Sequence, residues 1–308
     1  MGKLLQINRQ GELAWNEITA HFLDYKKAEG LSVRTLNDYE KLLSLIARRQ
    51  PRIKEAAREA VIAFLGSFQN PNSYNVYFAY LKTFFDWCIR EGYHKERHPL
   101  DGLKKRRPIG RVVHIENTAL TLLLSLPDRS TFVGLRDYAL LLFSLDCGAR
   151  PGESLQLAEK DFNFPGLLVT IPGSVAKTRQ PRTIPITNQT MLAIRTLLEA
   201  HHPDWKRQTI FCTQDGSRYA SRSWQQRLKA YSVKLGTTLT PYHLRHAAAL
   251  GMLRGGMSAF ALRDMLGHTN ISTTQKYLAL TLDDLRREHE ESNLIDSIAP
   301  KRARVRKV

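Results

Sequence analysis

Four short segments carry residues able to handle a phosphate group. Gly148-Ala149-Arg150-Pro151-Gly152-Glu153 sets an arginine directly before a proline suited to the first position of a helix. Thr240-Pro241-Tyr242-His243-Leu244-Arg245-His246 repeats the device: Thr240 caps, Pro241 opens the helix, and His243 and Arg245 fall in its first turn. A helix start offers free N–H groups and the positive end of the dipole, which suits a phosphate. Leu266-Gly267-His268 ends a helix at glycine. Ser272-Thr273-Thr274-Gln275 has the pattern of a capping box that opens a short helix bearing Tyr277. Between the first two segments lies a basic stretch holding Lys177, Arg179 and Arg182. Taken singly, each residue has an ordinary reading. Arg150 can pair with Glu153 or Asp146, His243 and His246 can be helix-end histidines, and Tyr277 beside Leu278 can be a buried aromatic. The signal lies in the ordered set.

The elements that must position these residues are mainly helical. Stretches around 116–126 and 134–146 read as helices, and Leu167–Ile171 and Thr183–Ile186 as paired strands joined by the basic loop Pro172–Arg182. Pro185 places the second strand at a sheet edge. From Asn188 to about Ser297 the pattern is helical, and Leu282–Ile298 is amphipathic enough to pack on its own domain or on a neighbouring protomer. The last eight residues carry five basic side chains.

Ahead of this lies a smaller group of helices: Trp15–Ala28, one opened by Ser32, Ile53–Leu65, and Ser73–Arg90 after the break at Asn70-Pro71-Asn72. His98–Pro108, with prolines at both ends and the run Lys104-Lys105-Arg106-Arg107, reads as an extended linker that can track a phosphate backbone or serve as a solvated hinge. The expected division is a helical domain over 1–103, a linker over 104–111 and a second domain over 112–308.

Composition bounds the partner. Lys plus Arg number 46 against 29 acidic residues, a formal net charge of +17. Self-repulsion on that scale is relieved by a polyanion, with nucleic acid the first candidate and an anionic membrane surface the second. The three cysteines, Cys88, Cys147 and Cys212, are scattered through apolar settings, which suits a reducing compartment better than a disulfide framework or a zinc site. Met1–Gln6 is too short in apolar length for a signal peptide, and Tyr138–Leu145 falls short of a membrane span. The expectation is a cytoplasmic, nucleoid-associated protein with no membrane partner.

The ordered set resembles the tyrosine recombinase or phage integrase family. The matching elements are Arg150 with Glu153, a lysine in a basic hairpin, His243-Leu244-Arg245, Leu266-Gly267-His268, and Tyr277 nine residues later (277 − 268). Here the helix start is His-x-Arg, with His246 directly after the arginine. Gly30–Thr35 and the Ser73–Arg90 helix are similar to the family's core-binding domain, so the resemblance spans essentially the whole chain. It implies a mainly α fold with a small antiparallel β-sheet. Two domains would form a C-clamp: a SAM-like helical core-binding domain, and a catalytic domain ending in a helix and a basic tail.

The resemblance also implies roles. Transesterification at a phosphodiester needs a nucleophile, charge stabilisation on the phosphorane oxygens, and a proton for the leaving 5′-oxygen. Tyr277 is implied as the nucleophile, leaving a 3′-phosphotyrosyl bond. Arg150 and Arg245 would clamp the nonbridging oxygens, since guanidinium matches phosphate as a fork and keeps its charge. His243 and His268 would position the phosphate and hold or move protons, Lys177 would protonate the leaving group, and Glu153 would orient Arg150. Lys104, Lys105, Arg106, Arg107, Arg179 and Arg182 would bind DNA. No metal or other cofactor is implied. The implied partners are a double-stranded recombination site and, through a Holliday junction, a homotetramer, with any accessory proteins undefined. With helices starting by about residue 13, a mobile-element or chromosomal recombinase without an arm-binding domain is expected. A type IB topoisomerase-like nicking enzyme uses nearly the same residues, although it leaves the front helical domain unexplained. A non-catalytic DNA-binding protein of the same fold would differ from a recombinase in forming no SDS-resistant DNA adduct. A histidine phosphatase would use Arg-His chemistry on phosphate without DNA.

Overall fold

The computed structural model describes residues 14–50, 56–107, 115–205 and 209–270, together with Thr274 and Tyr277. The chain divides into two compact units between Arg111 and Val112.

Among the described residues the first unit holds four helices: α1 (Trp15–Ala28), α2 (Val33–Arg49), α3 (Ala57–Gly66) and α4 (Pro71–Arg90). Ser32 caps α2 by accepting from the Thr35 N–H. The start of α4 differs from the sequence expectation. Asn70-Pro71-Asn72 opens the helix instead of breaking the chain, because Asn70 accepts the Asn72 N–H while Pro71 occupies the first helical position, where no N–H is needed. Helix α3 begins at Ala57, later than expected; residues 53–55 of that expectation lie outside the described residues. The core is aromatic, with Phe22 set edge-on to Phe84, Trp87 and Tyr39.

The second unit comprises α5 (Asn117–Ser125), α6 (Phe132–Cys147), α7 (Pro151–Ser154), β1 (Phe162–Asn163), β2 (Leu168–Ile171), β3 (Arg182–Pro185), α8 (Asn188–Glu199), α9 (Ser221–Lys234), α10 (Pro241–Arg254) and α11 (Ala259–Leu266). Helix α6 is buried nearly all round and packs against α8 and α10. The antiparallel sheet runs β1-β2-β3, and its first strand, only two residues long, is too short to show a period in the sequence. Pro185 sits on the edge strand β3, where its missing N–H breaks no ladder. Val169, Ile171 and Ile184 point into the core while Thr170 and Thr183 pair across the outer face with their hydroxyls 3.0 Å apart. Among the described residues no helix is long and apolar enough to cross a membrane.

One buried polar node ties α6 to α9. Asp137, fully buried, accepts from Arg136 Nη2 at 2.8 Å, Arg227 Nε at 2.6 Å and Tyr231 Oη at 2.8 Å. Removing it leaves the Arg136 guanidinium uncompensated in the interior. Asp137→Ala should therefore cost about 3–5 kcal/mol, read as a lowered midpoint in urea unfolding. An unchanged midpoint would show that the node contributes nothing to the second unit.

Candidate active site

The site forms where the start of α7, the start of α10 and the end of α11 meet. Arg150 is the N-cap residue of α7, with Pro151 first in the helix. Its guanidinium donates to Glu153 Oε1 at 3.1 Å and to the Gly267 carbonyl at 2.8 Å. Arg245 lies in the first turns of α10, whose cap Thr240 accepts the His243 N–H. It is 3% exposed and donates to the carbonyls of Gly148 at 2.6 Å and Leu266 at 2.9 Å. Burial first, then repulsion from Arg150, pushes the Arg245 guanidinium down to about 10, still protonated at neutral pH. The two arginines that the sequence pairs are thus fixed to neighbouring carbonyls.

Glycine is required at two of those carbonyls. Gly148 ends α6 at φ 60°, and a Cβ there would meet Leu266 Cδ2 at 2.9 Å. Gly267 ends α11 at φ 64°, and a Cβ there would lie 3.0 Å from the Arg182 guanidinium. In both cases the left-handed backbone turns the carbonyl without steric penalty.

Arg182, expected to bind DNA, is largely buried. Its side chain, 10% exposed, donates to Glu153 Oε2 at 2.6 Å and to the Met265 carbonyl at 3.1 Å, with Nη1 buried and lacking a hydrogen-bond partner. The physical reason is Glu153, 3% exposed, whose carboxylate must be compensated where it is buried. Glu153 also accepts the backbone N–H of Lys177 at 3.1 Å. Burial alone would raise the Glu153 pKa; the Arg182 hydrogen bond and charge, the Lys177 N–H and Arg150 outweigh it and hold the carboxyl below its ordinary value. Glu153 therefore anchors the base of the basic loop, on which the Lys177 side chain is exposed. Arg179 is exposed on the same loop, at φ 57°.

Tyr277 is 5% exposed and packs with Ala249, Leu262 and Leu266. Its ring stacks on His268, centroids 6.3 Å apart and planes 4° from parallel. Its hydroxyl lies 2.8 Å from His246 Nδ1. Burial raises the phenol above its ordinary pKa, with Arg245 opposing by charge and as a hydrogen-bond donor. His268 Nε2 accepts from Arg245 at 2.9 Å, so its proton sits on Nδ1, which donates to Thr274 Oγ1 at 2.9 Å. Burial and the nearby arginines push this imidazole down to about 4, so it is neutral at physiological pH.

The structure brings together Arg150, Glu153, Arg245, His268 and Tyr277, and it places the Lys177 backbone against the same carboxylate. His243 stands beside the group, half-buried, its Nδ1 donating to the Thr238 carbonyl at 3.1 Å. In the first unit, Lys104, Lys105 and Arg107 are exposed. Arg106 is docked instead: its guanidinium lies 4.0 Å from the Tyr74 ring centroid and donates to the Phe68 carbonyl, while its backbone pairs with the Asn75 amide. The capping box at Ser272 and the segment Leu282–Ile298 lie outside the described residues. Sequence reasoning missed His246 and Thr274 as contacts of the site, and no spacing signal marks a partner 31 positions away in the chain.

A phenol hydroxyl set among two fixed guanidiniums and a neutral imidazole can attack a bound phosphodiester. Residues 115–283 match the phage integrase family. The chain is 27% identical to tyrosine recombinase XerC of Chromobacterium violaceum over 286 residues, covering 89% of this chain and 94% of the relative. It is 26% identical to tyrosine recombinase XerA of Thermococcus onnurineus, covering 94% and 99%. Its fold is similar to that of the Tn1549 transposon integrase in complex with a circular intermediate DNA, with TM-score 0.73, 19% identity, and 90% and 99% coverage. It is similar too to a lambda integrase dimer bound to a COC′ core site, with TM-score 0.68, 14% identity, and 84% and 96% coverage. The chain is an enzyme that cuts and rejoins DNA strands. The chain belongs to the phage integrase family of tyrosine recombinases.

Glu153→Gln removes the charge that Arg150 and Arg182 share and should destabilise the second unit by about 3–5 kcal/mol. The pH dependence has a definite sign. Because the folded carboxyl is held below its ordinary value, its contribution is present above the unfolded pKa and is lost as pH falls through the folded one. The difference in unfolding free energy between wild type and Glu153→Gln should therefore be full at pH 7 and shrink in acid. A difference constant from pH 7 to pH 3 would contradict this.

Proposed function

We propose that this chain recombines double-stranded DNA at a specific site, with Tyr277 as the nucleophile that forms a 3′-phosphotyrosyl bond. The observation that carries the reading is the buried Tyr277 hydroxyl in one cluster with Arg245 and His268. Arg150, Arg182 and Arg245 stand against the single carboxylate of Glu153, a surplus of two positive charges (3 − 1) among the described residues. A scissile phosphodiester, with one negative charge, would offset only part of that surplus, and a phosphorane carrying more negative charge would offset more of it, so the cluster favours the transition state over the ground state.

In this reading Arg150 and Arg245 hold the nonbridging oxygens with N–H groups not committed to carbonyls. His268, neutral in the free chain, would take up a proton as the phosphate's charge raises its pKa, and would then donate to the phosphate. Lys177 protonates the 5′-oxygen from the loop that Glu153 anchors; arginine beside it cannot, since it keeps its proton. Lys104, Lys105, Arg107 and Arg179 supply phosphate contacts. The two units would close on the duplex as a C-clamp, and a homotetramer would exchange four strands through a Holliday junction, in the setting of a mobile element or chromosome. Solved proteins of similar fold have been captured on DNA, among them XerH bound to a palindromic difH substrate in a post-cleavage complex.

Tyr277→Phe should abolish the SDS-resistant DNA adduct while leaving site binding within a few-fold of wild type by gel shift. An adduct of normal yield in that variant would remove Tyr277 from the chemistry. Lys177→Ala should cleave ordinary DNA poorly yet recover on a substrate whose 5′-bridging oxygen is sulfur, a leaving group that needs no proton. Equal impairment on both substrates would make Lys177 a binding residue.

A further inference from the structure

We propose that His246 is the base that takes the proton from Tyr277, a role that rests on Tyr277 being the nucleophile. His246 Nδ1 lies 2.8 Å from Tyr277 Oη, and the two ring centroids are 5.3 Å apart with planes at 52°. A phenol held in its protonated form by burial must shed that proton as the O–P bond forms. His268 is not placed to receive it. Its Nε2 lone pair is engaged by Arg245, and its Nδ1 carries the proton donated to Thr274. His243 directs Nδ1 to the Thr238 carbonyl. As the base, His246 accepts the Tyr277 O–H through Nδ1, 2.8 Å away, and keeps its own proton on Nε2.

The imidazole is also in the right state. Burial, then the charges of His243 and Arg245, hold His246 below its ordinary pKa, so it is neutral and able to accept. Among the described residues, the titratable and charged groups facing it are His243 and Arg245 on α10, and Tyr277 and His268 beyond α11. In the forward step Tyr277 Oη bonds to phosphorus and its proton passes to His246 Nδ1, giving an imidazolium. The P–O5′ bond breaks and the 5′-oxygen leaves with a proton from Lys177. In religation the 5′-hydroxyl attacks and returns its proton to Lys177, while Tyr277 leaves and takes its proton back from His246. Protons and charge balance over the cycle, and no co-reactant is needed.

The test is His246→Asn, whose side-chain oxygen can accept the hydrogen bond but cannot hold the proton. Single-turnover cleavage of a nicked recombination site by the full chain is followed from pH 6 to pH 9, with site binding measured in parallel. His246→Gln, read in the same way, guards against a folding defect in the first variant. The expected result is retained binding and adduct formation slowed about 10²–10⁴-fold at pH 7. The rate should then climb about tenfold per pH unit as solvent base takes over. Because sulfur at the 5′-bridging position removes the need for an acid and not for a base, the defect should persist on that substrate. Wild-type rate at pH 7, a defect that does not change with pH, no cleavage at any pH, or rescue by sulfur would each overturn the proposal. Failure of the nucleophile assignment shows separately, as the absence of a Tyr277 adduct in the wild-type chain.

Discussion

The site depends on one buried carboxylate. Glu153 accepts from Arg150, Arg182 and the backbone of Lys177, and these partners come from α7, from the first residue of β3 and from the loop that precedes it. A carboxylate this deep is costly unless paired, so its partners are obliged to converge on it. Convergence then places the guanidinium of Arg182 beneath Gly267, and Gly267 in turn offers its carbonyl to Arg150. Charge compensation in the interior thus fixes the geometry of the arginines at the candidate site.

A second consequence is electrostatic. The cluster holds more positive charge than one carboxylate neutralises, and the burden falls on the groups that can release a proton. His268 and His246 are both held neutral, and the Arg245 guanidinium is driven down toward the lysine range. Tyr277, buried in an apolar pocket, keeps its proton. In the DNA-free chain both imidazoles are therefore neutral and the Tyr277 phenol is protonated. A phosphodiester entering the cluster would offset part of that surplus and leave the rest to act on the charge that develops during reaction.

Much of this is legible in the sequence because the relevant signals are local. Thr240 and Pro241 announce the start of α10, Arg150 and Pro151 that of α7, and Gly267 the end of α11, each through capping chemistry confined to a few residues. The same chemistry misleads at Asn70-Pro71, where a helix start resembles a chain break. The fate of charged side chains is harder to read. Arg106 and Arg182 look like surface cations, yet one lies on Tyr74 and the other is buried against Glu153, and neither partner is near in sequence. His246 escapes sequence reasoning for the same reason, since its meaning comes from a hydroxyl brought to it by the fold.

The phenol of Tyr277, and no other hydroxyl, is proposed to become joined to DNA. Tyr242, at the start of the same α10 helix and 57% exposed, is the instructive competitor, since accessibility alone would favour it. The direct measurement is to trap the adduct on a nicked site bearing a labelled 3′ strand, digest it with protease and sequence the DNA-linked peptide by mass spectrometry. The nucleotide remnant should reside on Tyr277. A remnant on Tyr242 or on a serine or threonine would contradict it.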